Sequence, residues 1–367
     1  MRTRAIIHLD HFIDNIKSVR TQIGPKRHIC VTVKADGYGH GALEIAKISL
    51  KAGAFCLGVA TVDEGKELRK GGITAPILLL SLPHLQEIPE IIRTGLTPFI
   101  SDTEFASILN EHARDEKTKI PVHIKIDTGM GRVGCSAEEA LHLARHIAAC
   151  TFLELAGTAT HFAVSDSVDS RDTDYTGEQL SIFLKAVNTI RDAGIDPGII
   201  HAANSGAVIL HPDTWLDMVR PGILLYGYNS VDKNKVPVKP VMELRTTVVL
   251  IKKIKKGESV SYGRTWTAVQ DTHIAVLSIG YADGLPRLAS NKWKAVIGGK
   301  SYSFIGRITM DQCMADIGPQ PEVRRWDEAE IFGGETPDAG ALAETVGTIP
   351  YEITCNISKR VPRVYLQ

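Results

Sequence analysis

ICVTVKADGYGHGALEIAKISLKAGAFCLGVA (29–60) carries one complete structural unit. A run of β-branched and apolar residues (29–33) breaks at a glycine-rich turn. A stretch with apolar residues at helical spacing follows, and a second apolar run (55–60) ends the unit. Working outward, the same alternation recurs up to Arg220, with runs at PILLL (76–80), TPFI (97–100), PVHIKI (121–126), LELAGTAT (153–160), GIIH (198–201) and DMV (217–219). Eight strand-like runs alternating with helical segments predict an α/β chain that begins with an N-terminal (β/α)8 barrel. The last two runs are short, so counting alone also allows a doubly wound sheet. A second regularity favours the barrel. The residue just beyond a run is often chemically capable, as at Lys34, Asp127, His161, Asn204 and Arg220. Barrel enzymes build their sites at these C-terminal strand ends. Thr61, Ser81 and Ser101 hold equivalent places but read more plainly as loop starts.

Bulk properties narrow the functional classes. At 367 residues the chain is long enough for a barrel plus a smaller module. Lys+Arg and Asp+Glu balance at 42 each, so no net field draws in nucleic acid or an anionic membrane surface. The start, MRTRAIIHLDHFIDNIK, lacks the unbroken apolar core of a signal peptide, because Asp10 and Asp14 interrupt it. No window approaches the roughly 20 apolar residues of a membrane span. A cytoplasmic protein without membrane or nucleic-acid partners is expected. The six cysteines are scattered without a CxxC or Cys/His cluster, which predicts reduced core thiols and no metal site.

YNSVDKNKVPVKP (228–240), rich in Lys and Pro and without apolar periodicity, reads as a linker. The barrel is therefore placed at 1–237 and a smaller, mainly β C-terminal domain at 238–367. In the latter, VMELRTTVVLIKKI (241–254), HIAVLSIGY (273–281), SYSFIGRI (301–308), AEIFG (329–333) and YEITCNISKRVPRVYL (351–366) read as strands, with a helix at 338–346. The initial RAIIHL (4–9) precedes a helix read as capped by Asp10. It has no slot among the eight barrel strands and is left to pair elsewhere, for example with the second domain.

Several motifs carry chemistry. In VKADGYGHG (33–41), Lys34 follows an apolar run, where desolvation disfavours an ammonium and leaves a nucleophilic amine. Gly37, Gly39 and Gly41 permit a tight turn, and Tyr38 offers a hydroxyl. KIDTGMGRVG (125–134) sets Asp127 beside Arg132, either as a strand-end ion pair or with Arg132 as a planar fork for an anion. ANSGA (203–207) and RPGI (220–223) follow the last two runs, where barrels often bind phosphate. The second domain adds SYGRTW (261–266), GYADGLPR (280–287), GRITMDQ (306–312) and PYEIT (350–354). Taken singly, each of these is a commonplace turn or a half-buried aromatic.

Together, in this order and along essentially the whole chain, the motifs resemble those of the alanine racemases. Two departures are Gly37, where a small residue such as Ala is usual, and Thr309, where a cysteine is common. The resemblance implies a pyridoxal 5'-phosphate (PLP) isomerase that interconverts L- and D-alanine, for peptidoglycan or for alanine breakdown. Lys34 then carries the cofactor as a Schiff base. Ser205, Gly222 and Ile223, with Tyr38 and Tyr351, correspond to the phosphate-holding positions, Asn204 to a cofactor-binding one, and His161 packs on the ring. Lys125 matches a lysine that is often carbamylated and orients Arg132 toward the cofactor's phenolic oxygen and the substrate carboxylate. Arg220 faces the ring nitrogen; because a guanidinium keeps its proton, it favours an unprotonated nitrogen and a carbanion that is reprotonated at Cα. Tyr262, the second catalytic base, and Met310 would come from the partner of a homodimer, with Tyr281 at the substrate entrance. A bulky Tyr351 favours a methyl side chain on the substrate.

Other readings fit less well. A PLP-dependent decarboxylase of basic amino acids shares this plan but is expected to set a carboxylate at the ring nitrogen. A broader-specificity racemase differs less, and its periplasmic forms would carry a signal segment. A non-catalytic PLP-binding barrel leaves the second domain without a role, and a cofactor-free Schiff-base aldolase leaves Tyr38, Ser205 and Arg220 without one.

Overall fold

In a computed structural model, which describes residues 2–229, 231 and 236–367, the chain opens with strand β1 (Arg4–His8) and helix α1 (Leu9–Ile23). Eight short parallel strands follow: β2 (His28–Thr32), β3 (Cys56–Val59), β4 (Ile77–Leu79), β5 (Thr97–Ile100), β6 (Ile120–Lys125), β7 (Leu153–Ala159), β8 (Ile199–His201) and β9 (Met218–Val219). Each bonds the next, and β9 returns to β2 through His28↔Met218 and Ile29↔Val219. The barrel is closed, which excludes the doubly wound alternative. Its strands are buried on both faces, as in β3, where all four residues are inaccessible.

Helices α2 (Lys34–Tyr38), α3 (Ala42–Lys51), α4 (Val62–Lys70), α5 (Ile88–Thr94), α6 (Thr103–Asp115), α7 (Ala140–Ala149), α8 (Ser170–Asp192) and α9 (Ser205–Leu210) fill the crossovers. In α8, Thr176, Gln179, Phe183, Val187 and Ile190 recur at helical spacing and make the buried face. Thr61 caps α4 with a reciprocal box: its side chain accepts from the Glu64 amide, and Glu64 accepts from the Thr61 amide.

The remaining strands are β10 (Met242–Ile254), β11 (Ser259–Val260), β12 (Trp266–Thr267), β13 (Thr272–Leu277), β14 (Lys294–Ile297), β15 (Lys300–Ser303), β16 (Cys313–Gly318), β17 (Glu328–Phe332) and β18 (Arg363–Leu366). Strands β11 and β12 pair with each other; the rest form a sheet ordered β15-β14-β17-β10-β1-β18, in which β13 pairs with β10 and, on its other side, with β16. The N-terminal strand thus sits inside the second sheet, antiparallel to β10 and parallel to β18. Residues 230 and 232–235 of the expected linker lie outside the described residues. Asn15 of α1 holds the chain on either side, donating to the Leu225 and Lys239 carbonyls.

Two local expectations need correction. YEITC is not a strand but part of helix α11 (Pro350–Cys355), which follows α10 (Ala339–Val346). Gly347 ends α10 in the left-handed region (φ 79°), and Pro350 starts the next helix, where its missing N–H costs nothing. The β-branched Ile353 and Thr354 are buried by tertiary packing, which overrides their strand preference. Asp10 also does not cap α1; the cap position is His8, and it makes no side-chain cap bond.

Helix α11 packs on the turn after Lys34. Gly39 (φ +82°) lies so close that a Cβ there would stand 2.0 Å from the Thr354 carbonyl oxygen. Gly53 (φ +88°) faces open space. Gly53→Ala is expected to cost about 1 kcal/mol, from backbone conformation alone. Gly39→Ala should cost more than about 2 kcal/mol because backbone must also move. Denaturant titration of both variants checks the ranking, and equal losses would contradict the packing described.

Candidate active site

A single cavity at the C-terminal end of the barrel is lined by Lys34, Tyr38, Lys125, Arg132, His161, Asn204, Ser205, Arg220, Gly222 and Tyr351, together with Thr32, Phe99 and Asp166. Ile223 is buried directly after Gly222. Sequence positions spread over more than 300 residues therefore converge. Tyr262, Met310 and Tyr281 do not line the cavity within one chain. They are exposed on the second domain at 72%, 53% and 44%.

Lys34 opens α2 immediately after β2. Ala35, Asp36, Gly37 and Tyr38 all adopt left-handed backbone (φ 52°, 53°, 61° and 51°), a strained turn for the three non-glycine residues. Side chains hold it in place. Glu64 accepts from the Ala35 amide at 2.7 Å, and Asp36 Oδ1 accepts from the Ala42 amide at 2.9 Å. His40 Nδ1 donates to the Tyr38 carbonyl at 2.9 Å, and Arg363 Nε donates to the Gly39 carbonyl at 2.9 Å. Burial, then the Arg132 charge, lowers the Lys34 pKa and raises its share of neutral amine.

Arg220 is the electrostatic centre. Its guanidinium donates to His201 Nδ1 (2.7 Å), the Thr160 carbonyl (2.7 Å) and the Ala202 carbonyl (3.0 Å), and lies 3.4 Å from His161 Nδ1. Burial brings its pKa down to about 10, so it remains charged at neutral pH. A guanidinium only donates, so His201 must accept at Nδ1 and carry its proton on Nε2. That proton points to His123 Nδ1, 2.8 Å away. The chain Arg220–His201–His123 thus has a fixed direction and two neutral imidazoles. Burial, followed by the Arg220 charge, pushes both histidines far down, His123 to about 3.

Lys125 is fully buried on the same strand face as His123, with Nζ 5.9 Å from the Phe99 ring centre. Burial and the Arg220 and Arg132 charges drive its pKa well below the ordinary lysine value. Asp127 does not pair with Arg132 as an ion pair. Its carboxylate instead accepts from the Gly129 and Gly131 amides (3.0 and 3.1 Å) and shapes the loop that presents Arg132.

The opposite wall is a cradle of donors. Ser205 Oγ accepts from the Gly222 and Leu224 amides at 2.9 and 3.3 Å. Asn204 caps α9, accepting from the Ala207 amide at 3.1 Å and from Ser165 Oγ at 2.7 Å. A Cβ on Gly222 would stand 2.5 Å from the Tyr38 hydroxyl, so only glycine leaves this space open. The Tyr351 ring packs 5.7 Å from that of Tyr38, and burial raises its pKa to about 12. Four basic side chains, a glycine-lined pocket and the hydroxyls of Tyr38, Ser205 and Tyr351 make up a set that suits a phosphorylated, anionic pyridine such as PLP.

His123, His201, Glu64 and Gln179 escaped the sequence reading. Gln179 is buried, donates to the His161 carbonyl (3.2 Å) and accepts from the Ala163 amide (3.0 Å), fixing the turn that carries His161. The sequence did hold a signal for His123. Gly157 interrupts a strand run, and a Cβ there would stand 2.4 Å from the His123 ring.

Comparison with known proteins places this geometry in context. Residues 7–230 match the family described as "Alanine racemase, N-terminal domain", and residues 241–365 match "Alanine racemase, C-terminal domain". The chain is 51% identical to an alanine racemase of Treponema denticola, covering 99% of this chain and 98% of that protein. It is 43% identical to one of Treponema pallidum subsp. pallidum, covering 99% of each. Among solved structures, an alanine racemase of Clostridium difficile 630 superposes with a TM-score of 0.95 at 37% identity, over 100% of this chain and 96% of that one. One from Bacillus anthracis with bound L-Ala-P gives 0.92 at 33% identity, over 100% and 95%.

The buried imidazoles make stability depend on pH. His40 is pushed down to about 4 and His123 to about 3, and His161 and His201 also lie well below the ordinary value. Below about pH 6.5 the unfolded chain takes up protons that the fold refuses, so stability is complete above that value and falls as pH decreases. Denaturation midpoints should drop steeply between about pH 7 and pH 5, before most carboxylates titrate. A flat profile there would show that these histidines accept protons in the fold.

Proposed function

The chain belongs to the alanine racemase family and interconverts L- and D-alanine; from that premise we propose that Lys34 of one subunit and Tyr262 of the partner subunit are its two bases. The observation that carries the reading is that Lys34 and the buried Arg220 open onto one cavity whose far wall is a glycine-lined donor cradle. The family is PLP-dependent. In this chain the Lys34 amine would hold the cofactor, Tyr38, Asn204, Ser205, Gly222, Ile223 and Tyr351 its phosphate, His161 its ring face and Arg220 its ring nitrogen. When bound, PLP supplies a sink for the negative charge left at the substrate Cα after its proton departs.

Inversion at Cα requires removal of a proton from one face and delivery to the other. The lowered Lys34 pKa suits it to both roles, as neutral amine and as ammonium. Tyr262 stands on a turn with left-handed Ser261 (φ 66°) and Gly263 (φ 70°), and Ser261 Oγ donates to the Arg307 carbonyl at 2.7 Å. That turn aims an exposed phenol away from its own chain, which supports service to a neighbour. Met310 and Tyr281 are tied together, since Met310 accepts at its carbonyl from the Ala282 amide at 3.0 Å. Met310 is assigned to the substrate carboxylate with Arg132, and Tyr281 to the entrance. A homodimer follows from this assignment. A neutral Lys125 amine is the form that adds carbon dioxide, releasing a proton and leaving a carbamate to orient Arg132. Among the described residues no helix is long and apolar enough to cross a membrane, and a cytoplasmic location is proposed. The decarboxylase alternative is not favoured: the relatives named above are alanine racemases along the whole chain.

Mixed dimers test the assignment. Lys34→Ala and Tyr262→Phe homodimers should each have little activity, and Lys34→Ala should lose the visible absorbance of protein-linked PLP. Refolded together in equal amounts, they should recover about a quarter of wild-type activity, since half the dimers then hold one intact site in two. Absence of recovery would place Tyr262 in its own chain's site. Tyr262→Phe alone should impair the two directions of racemisation unequally in single-turnover measurements, and equal impairment would contradict the two-base division.

A further inference from the structure

The junction of β1 and α1 holds a cluster that the reaction does not use. His8 ends the strand, and Asp10 and His11 lie in the first turn of the helix. The two imidazole rings stack 4.7 Å apart at an angle of 18°. One ligand atom from each of His8, Asp10 and His11 lies within 4.8 Å of the others. We propose that these three side chains form a binding site for a divalent transition-metal ion of the zinc, nickel or copper type.

Proximity alone would be weak support, but the hydrogen bonds around the rings fix which nitrogens are available. His11 Nδ1 lies 2.8 Å from the Pro240 carbonyl oxygen, which can only accept. The ring therefore carries its proton on Nδ1 and keeps the Nε2 lone pair. His8 Nε2 lies 2.8 Å from Glu243 Oε1. Arg245 donates to the other Glu243 oxygen through Nε (2.9 Å) and a terminal nitrogen (2.6 Å), which holds that group as a carboxylate acceptor. His8 thus carries its proton on Nε2 and keeps the Nδ1 lone pair. Each imidazole has one N–H engaged by an oxygen acceptor while the other nitrogen stays free to ligate. Metal-binding histidines are oriented in this way.

Asp10 supplies the third group. It is exposed, and among the described residues no hydrogen bond or ion pair engages its carboxylate. Two imidazole nitrogens and one carboxylate select borderline transition ions over magnesium or calcium, which prefer all-oxygen shells. Three protein ligands leave further positions to water. The site also spans a structural seam. Its ligands sit where β1 passes into α1, while Pro240 precedes β10 and Glu243 lies within it. An ion here would clamp the barrel's first helix to the second sheet and add stability in proportion to its occupancy.

The test uses the holoenzyme, freed of metal with a chelator and titrated calorimetrically with zinc chloride. The expected result is one ion per chain with a dissociation constant of about 10 µM or tighter, and a rise in melting temperature on binding. His11→Gln should weaken binding by about a hundredfold, and Glu243→Gln by about tenfold through loss of His8 orientation. Racemase activity without added metal should be unchanged in His11→Gln. Copper(II) bound at the same site should give an electron paramagnetic resonance spectrum with two nitrogen couplings, falling to one in His11→Gln. No binding below about 100 µM zinc, or binding undiminished in His11→Gln, would overturn the proposal.

Discussion

A guanidinium buried without a carboxylate partner governs the barrel's upper end. Among the described residues no acid pairs with Arg220, and its hydrogen bonds run to two backbone carbonyls and the His201 imidazole, with a longer contact to His161. A buried charge held only by dipoles is costly, and with the Arg132 charge in the same cavity it disfavours any further positive charge nearby. His161, His201 and His123 are kept neutral, and Lys125 is driven the same way. The carbonyls that receive Arg220 are those of Thr160 at the end of β7 and Ala202 after β8, so barrel closure itself sets the guanidinium's place. In the proposed function this fixed cation is what the cofactor's ring nitrogen meets.

A second constraint is mechanical. The Lys34 turn runs through four left-handed residues, three of which are not glycine. Such backbone persists only when its surroundings over-determine it. Here Glu64, His40 and Asp36 hold it from within the barrel, while Arg363 and the α11 backbone close on Gly39 from the C-terminal segment. The conformation of the Lys34 turn therefore depends on residues more than 300 positions away. With β1 lying between β10 and β18, neither domain is complete without a piece of the other.

The barrel was legible in the sequence because parallel strands covered on both faces must be apolar runs. Even the three-residue β8 and two-residue β9 appeared as GIIH and DMV. Strand composition misled at YEITC, where Pro350 and the Gly347 stop outweigh two β-branched residues. Asp10 misled in a related way, since an acidic residue near a helix start looks the same whether it caps or sits inside the first turn. Lys34, His161, Asn204 and Arg220 were visible as polar residues following apolar runs, whereas Arg132 and Ser205 stood out only within their motifs. His123 and His201 were hidden because a histidine inside a strand announces nothing about its partners, although Gly157 marked the space one of them needs. The positions of Tyr262, Met310 and Tyr281 came from resemblance alone, and a single chain leaves them exposed.

The most direct test of the electrostatic account is nitrogen-15 NMR of the enzyme reconstituted with PLP labelled at its ring nitrogen. A buried, charged Arg220 predicts the chemical shift of an unprotonated pyridine throughout the neutral range, with Arg220→Glu moving it to the protonated position. A pyridinium signal in the unmodified enzyme would contradict the account at its centre.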